Sequence, residues 1–155
     1  MSKSVHLYEL SDAMRVVLEN GGEVSFVTGG VSMLPLLRNR MDTAFLHKPV
    51  DPIRRGDVIF YRMDNGKYIL HRVVGRRKDG FVTRGDNLRV KEYSVREDQV
   101  IAVLTAVRRG DKLIPMRSVR NRLYVWGLPL VRLFRLRIYP LYVRFLAPLV
   151  RKVKK

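Results

Sequence analysis

The chain has 155 residues, 46% of them hydrophobic and 29% charged, which suits one folded domain with a real core and excludes the disordered class. It has no cysteine, so disulfides, a thiol nucleophile and thiolate metal sites are excluded, and three scattered histidines do not make a zinc site. The net charge of +17 is uneven: residues 1–107 carry +4 and residues 108–155 carry +13, with Asp111 the one acid there, so the basicity belongs to the C-terminal third and seeks phosphate.

The N-terminus, MSKSVHLYELSDAM, lacks the apolar core of a secretory signal. The longest uncharged run near the C-terminus, Leu123 to Val131, is nine residues, short of the roughly 18 a spanning helix needs. A cytoplasmic protein, or one peripheral at a membrane, is the expectation.

Leu7 to Asn20 reads as an amphipathic helix, with Leu7, Leu10, Met14, Val17 and Leu18 on one apolar face and Gly21-Gly22 as its C-terminal cap. One such helix is too little for a helix-turn-helix. Glu23 to Thr28 reads as a strand, followed by a turn GVSMLPLL at Gly30 to Leu37 and one helical turn over Leu34 to Arg38. Asp42 to His47 and Asp57 to Arg62 are further strands. Asp64-Asn65-Gly66 is a hairpin turn into Tyr68 to Gly75, because Asn-Gly accepts positive φ. Lys78-Asp79-Gly80 turns into Phe81 to Arg84; Gln99 to Val107 and Lys112 to Met116 complete the set. The predicted class is mainly β (α+β): an antiparallel β body with an N-terminal helix over residues 1–116, then a basic, aromatic-rich, helical C-terminal tail over residues 117–155.

Ser32 follows Gly29-Gly30 at the end of a strand, and Pro35 stiffens the chain after it. That placement suits an exposed, rigid nucleophile, and equally a loop serine that caps the next segment. Period two puts Ile69, His71 and Val73 on one apolar face, so His71 is partly buried. It is either a satisfied structural histidine or a general base, for which a histidine's ordinary pKa of about 6.5 is suitable. His6 and His47 read as surface residues, Asp57 as a turn residue and Asp98 as a solvated loop acid. Asp86, in Arg84-Gly85-Asp86-Asn87, reads as a turn residue or as the carboxylate that orients the imidazole; Glu92, six residues on, is a second candidate.

In order, the pieces are Gly-x-Ser-Met-x-Pro, Gly-Asp before a strand, His71-Arg72-Val73 and Gly85-Asp86-Asn87. This constellation, from about Val24 to Val107, resembles the serine peptidase superfamily of type I signal peptidases and LexA-like repressors. With histidine before Arg72-Val73, it is similar to the endoplasmic-reticulum and archaeal-type branch, in a short form without a membrane anchor. The resemblance implies the LexA/signal-peptidase-like β fold, Ser32 as nucleophile, His71 as base, and Asp86 ahead of Glu92 as the orienting acid, with no cofactor. Many relatives carry a serine two residues before the nucleophile; here that position is Gly30, so the oxyanion would rest on backbone N–H groups, most directly that of Ser32. The implied activity is endoproteolysis of a signal or leader segment in a peptide or protein substrate, through an acyl-enzyme. The relatives prefer small residues before the cleaved bond. Self-cleavage, as in the repressors, lacks an Ala-Gly or Cys-Gly bond to cut.

Residues 117–155 hold eleven Lys+Arg and no acid, with Trp126 and many Leu, Val, Tyr and Phe, and Pro129, Pro140 and Pro148 are expected to break the tail into short pieces. The tail reads as a helical hairpin on the β body, or as a segment for an anionic membrane surface, with nucleic acid the disfavoured partner. The alternative to an enzyme is a non-catalytic relative that binds membrane or nucleic acid through this tail.

Overall fold

The computed structural model describes the backbone of residues 7–134 and 137, and side chains from Ala13 onward, Arg132 excepted. Helix α1 (Leu7–Glu19) stops where expected. Gly21 takes φ 76°, its N–H reaches Leu18 O at 3.1 Å and that of Gly22 reaches Val17 O at 2.9 Å, the two closing bonds of a Schellman cap. Met14 and Leu18 pack on the core, whereas Val17, expected on the same face, is exposed. Leu7, Leu10 and His6 lie outside the described side chains.

Eight strands follow: β1 (Val24–Val27), β2 (Asp42–His47), β3 (Val58–Arg62), β4 (Tyr68–Arg77), β5 (Gly80–Arg84), β6 (Glu92–Val95), β7 (Val100–Arg109) and β8 (Lys112–Pro115). They form one antiparallel sheet in the order β1-β2-β7-β3-β4-β5-β6. One edge of β7 pairs β2; the other is shared by β3, against Val100 to Val103, and β8, against Ala106 to Arg109. The run Val58 to Tyr61 is buried throughout because both faces of β3 are covered. Val58 and Phe60 join one apolar cluster, with Leu18, Met33, Leu37 and Leu104, while Ile59 and Tyr61 join another, with Val73, Phe81 and Val95. The Asp64-Asn65-Gly66 hairpin forms as predicted, with Gly66 at φ 80°.

Three expectations need correction. Leu34 to Arg38 makes turns rather than a helix; Leu37 N–H reaches Met33 O at 3.0 Å and the pattern stops. The strand β6 has no counterpart among the predicted elements. Pro129 does not break the tail: it sits inside helix α2 (Val119–Leu133), capped at its start by Ser118 Oγ on Asn121 N–H. Docked side chains hold the helix up to the proline: Asn121 and Leu128 are buried, and Asn121 Nδ2 donates to Met116 O at 2.6 Å. Pro140, Pro148 and the rest of the tail lie outside the described residues. Among the described residues no helix is long and apolar enough to cross a membrane.

Candidate active site

Ser32 lies in the turn between β1 and β2, and that turn is held from three sides. Gly30 takes φ 92°, a conformation that favours glycine, and its N–H donates to Asn39 Oδ1 at 2.8 Å. From the far side of the chain, Asn87 donates its backbone N–H to Ser32 O at 2.8 Å and its Nδ2 to Val31 O at 3.1 Å. Gly85 lies so close that a Cβ there would stand 2.7 Å from Ser32 O, so only glycine fits. Behind the turn, the fully buried Asp42 accepts Arg38 N–H at 2.9 Å and the Arg38 and Arg109 guanidinium groups at 2.8 and 3.0 Å. Arg109 also donates to Pro35 O and Leu36 O, at 3.0 and 2.8 Å. Burial opposes ionisation of Asp42, but the hydrogen bonds from Arg38 and Arg109 outweigh it and hold the carboxyl below the usual range.

His71 sits on β4 opposite Ile59 of β3, on the face it shares with Ile69 and Val73. Cross-strand pairing carries that face outward, from Val73 to Thr83 and from Thr83 to Glu92. Glu92 thus meets the buried imidazole, with Nδ1 at 3.0 Å from Glu92 Oε2. The same oxygen accepts Thr83 Oγ1 at 3.1 Å and the Tyr61 hydroxyl, which also contacts Thr83 Oγ1 at 2.9 Å. Burial works against the charged carboxylate, yet the bonds from His71 and Tyr61 outweigh it and keep Glu92 below the usual range. Burial first, and the Glu92 carboxylate second, push the Tyr61 hydroxyl far up, so it remains a donor. An ionised carboxylate only accepts, so it favours the proton on Nδ1, and in the neutral imidazole with that tautomer Nε2 is the acceptor. Nε2 meets no hydrogen-bond partner among the described residues.

Asp86, ranked first from the motif, is placed elsewhere. Its two oxygens take Arg72 Nε and Nη2 at 2.8 and 2.7 Å, and Tyr124 of α2 donates its hydroxyl to Asp86 at 3.0 Å. Arg72 closes the knot by donating to Gly56 O at 2.6 Å. Adjacent residues of a strand point to opposite faces, so whatever binds Arg72 is turned away from His71. Gly85-Asp86-Asn87 is therefore a clamp on the Ser32 turn: glycine for close approach, aspartate to anchor the loop on Arg72, asparagine to hold the backbone on both sides of the Val31–Ser32 bond.

Ser32 and His71 line one cleft of about 600 Å³. Its other walls include Phe26, Phe60 and Tyr68, whose rings pack in series with centroids 5.6 and 5.7 Å apart. Asp57 and His47 are placed as read: Asp57 Oδ2 caps a turn on Arg54 N–H at 2.8 Å, and His47 is half-exposed and pairs Glu23 at 2.9 Å; Asp98 is exposed as expected but lies in a 3-10 turn, Glu97–Gln99, rather than a loop, and pairs Arg96 at 3.2 Å. Tyr61, Thr83, Asp42 and Arg109 are the members that sequence reasoning missed. Tyr61 alone left a signal, as a hydroxyl in a run too buried to leave it unpartnered. A hydroxyl and an imidazole in one apolar cleft, the imidazole backed by a carboxylate, are side-chain types from which a nucleophilic serine centre can be built. No protein-family model matches the chain and no curated protein matches it, so what the cleft can do is read from its own side chains.

Proposed function

We propose that the chain is a serine endopeptidase of the signal-peptidase type, with the LexA/signal-peptidase-like fold, acting on a signal or leader segment. Ser32 Oγ attacks the peptide carbonyl, His71 Nε2 takes its proton and passes it to the leaving amine, and water then releases the acyl group from Ser32. Glu92 holds Nδ1–H and stabilises the imidazolium. The Ser32 N–H has no acceptor among the described residues and is the first candidate for the oxyanion donor. β1 is an edge strand whose Phe26 and Val27 line the cleft, so an extended substrate can add beside it. The apolar walls favour uncharged side chains next to the cut bond.

The observation that carries this reading is that His71 shares the Ser32 cleft while its far nitrogen is held by an ionised, hydrogen-bonded carboxylate. A purely structural histidine does not need a carboxylate that collects two further donors. Ser32→Ala and His71→Ala should each abolish peptide cleavage and covalent labelling by a fluorophosphonate. Turnover that persists in either variant refutes the assignment. A non-catalytic binding module is the second reading, favoured by the exposed apolar face of α2.

A further inference from the structure

Helix α2 has two faces of opposite character. One docks on the β body: Asn121 and Leu128 are buried, and Tyr124 reaches Asp86. The other is an apolar stripe that no described residue covers. At about 100° per residue, Val119, Leu123, Trp126, Leu130 and Leu133 fall within a sector of about 80°, and Phe134 extends it. These side chains are exposed, Trp126 to 81%, Leu130 to 67% and Leu123 to 64%. The same projection puts the exposed Arg120 on one margin of the stripe and Arg122 on the other.

We propose that this stripe is a docking surface for an anionic lipid bilayer. The charge decides the occupant. Residues 117–155 carry eleven Lys+Arg and no acid, so a second copy laid against α2 brings like charge to like charge. A nucleic acid satisfies the arginines but leaves Trp126 and the leucines in water. A bilayer meets both demands at once: the apolar stripe enters the headgroup–acyl boundary, and arginines on its margins reach lipid phosphates. The docked face of α2 points the other way, so the β body stays in water above the lipid. None of this depends on Ser32 being a nucleophile.

Trp126 is the sole tryptophan and serves as its own probe. The full chain is titrated with phosphatidylcholine vesicles, with and without phosphatidylglycerol. With phosphatidylglycerol present, the emission should shift to the blue and be quenched by brominated lipid; with phosphatidylcholine alone it should not move. Binding should weaken in 1 M salt, where the Debye length is about 3 Å. Leu123→Asp with Leu130→Asp should weaken binding at least about tenfold, with an unchanged far-UV spectrum because both sites are exposed. Arg120→Glu with Arg122→Glu should weaken it without touching the stripe. Unmoved emission with phosphatidylglycerol vesicles overturns the proposal. So does an equal response to both vesicle types, a doubled mass with Trp126 already blue-shifted before lipid is added, or nucleic-acid binding in the absence of vesicle binding.

Discussion

Glu92→Gln separates the two carboxylates that the Ser32–His71 pair has been offered. When His71 accepts a proton, the imidazolium and the Glu92 carboxylate have charge centres about 4 Å apart, which at an effective dielectric of about 20 is an attraction of about 4 kcal/mol. The Glu92 side chain is 27% exposed, so solvent trims this to about 3 kcal/mol. Losing it slows proton transfer about 10²-fold. If the amide turns its NH2 toward the ring, Nδ1 loses its acceptor and the wrong tautomer is favoured, and the loss approaches the roughly 10⁴-fold known for the same change in serine triads. Glu92→Gln should therefore cut the single-turnover rate about 10²- to 10⁴-fold, at a stability cost of about 1–2 kcal/mol. Asp86→Asn should do the reverse. It leaves Arg72, whose side chain is 2% exposed, without its countercharge, at a cost of about 3 kcal/mol and about 10 °C in Tm. Its turnover per folded molecule should fall far less. The assay is acylation by a fluorogenic ester at a temperature where both variants remain folded, with Tm measured alongside. The reasoning is refuted if Glu92→Gln acylates within about tenfold of the parent while folded Asp86→Asn loses a thousandfold or so.

Gly85→Ala puts a methyl 2.7 Å from Ser32 O and 2.9 Å from Leu88 Cγ, so the Ser32 turn must move; turnover should drop with a stability cost of about 1–3 kcal/mol, and unchanged turnover rejects the close approach. Tyr61→Phe removes a donor that helps hold Glu92 ionised. The acid limb of the rate profile should then move to higher pH, at a stability cost of about 1–2 kcal/mol, and an unmoved limb would separate Tyr61 from the site. Asp42 and Glu92 are held below the usual carboxylate range, so each adds stability above its unfolded pKa that is lost as pH falls through the lower folded value. Tm should fall steeply below about pH 4, and the fall should be shallower in Asp42→Asn; parallel curves for the two proteins contradict the network around the Ser32 turn.

Local sequence determined the elements whose signals are local. Gly21-Gly22 stops α1 and Asn65-Gly66 turns β3 into β4, because positive φ is a property of one or two residues. Alternation placed His71 with Ile69 and Val73, and composition placed the cationic charge in the last third. The candidate pair, Ser32 and His71, was legible for the same reason: each sits at a marked point of its own segment. Which acid serves the imidazole was not legible. Glu92 lies on a four-residue strand with Ser94 at φ 60°, too short and irregular for its pattern to be read, and it reaches His71 only through the β4–β5–β6 register, which is set by packing across the sheet. Asp86 carried the stronger motif, but burial of Arg72 demanded a countercharge and took it. The continuation of α2 through Pro129 was likewise decided by docking, of the turns before the proline, since a missing N–H is tolerated where tertiary contacts hold the preceding turns.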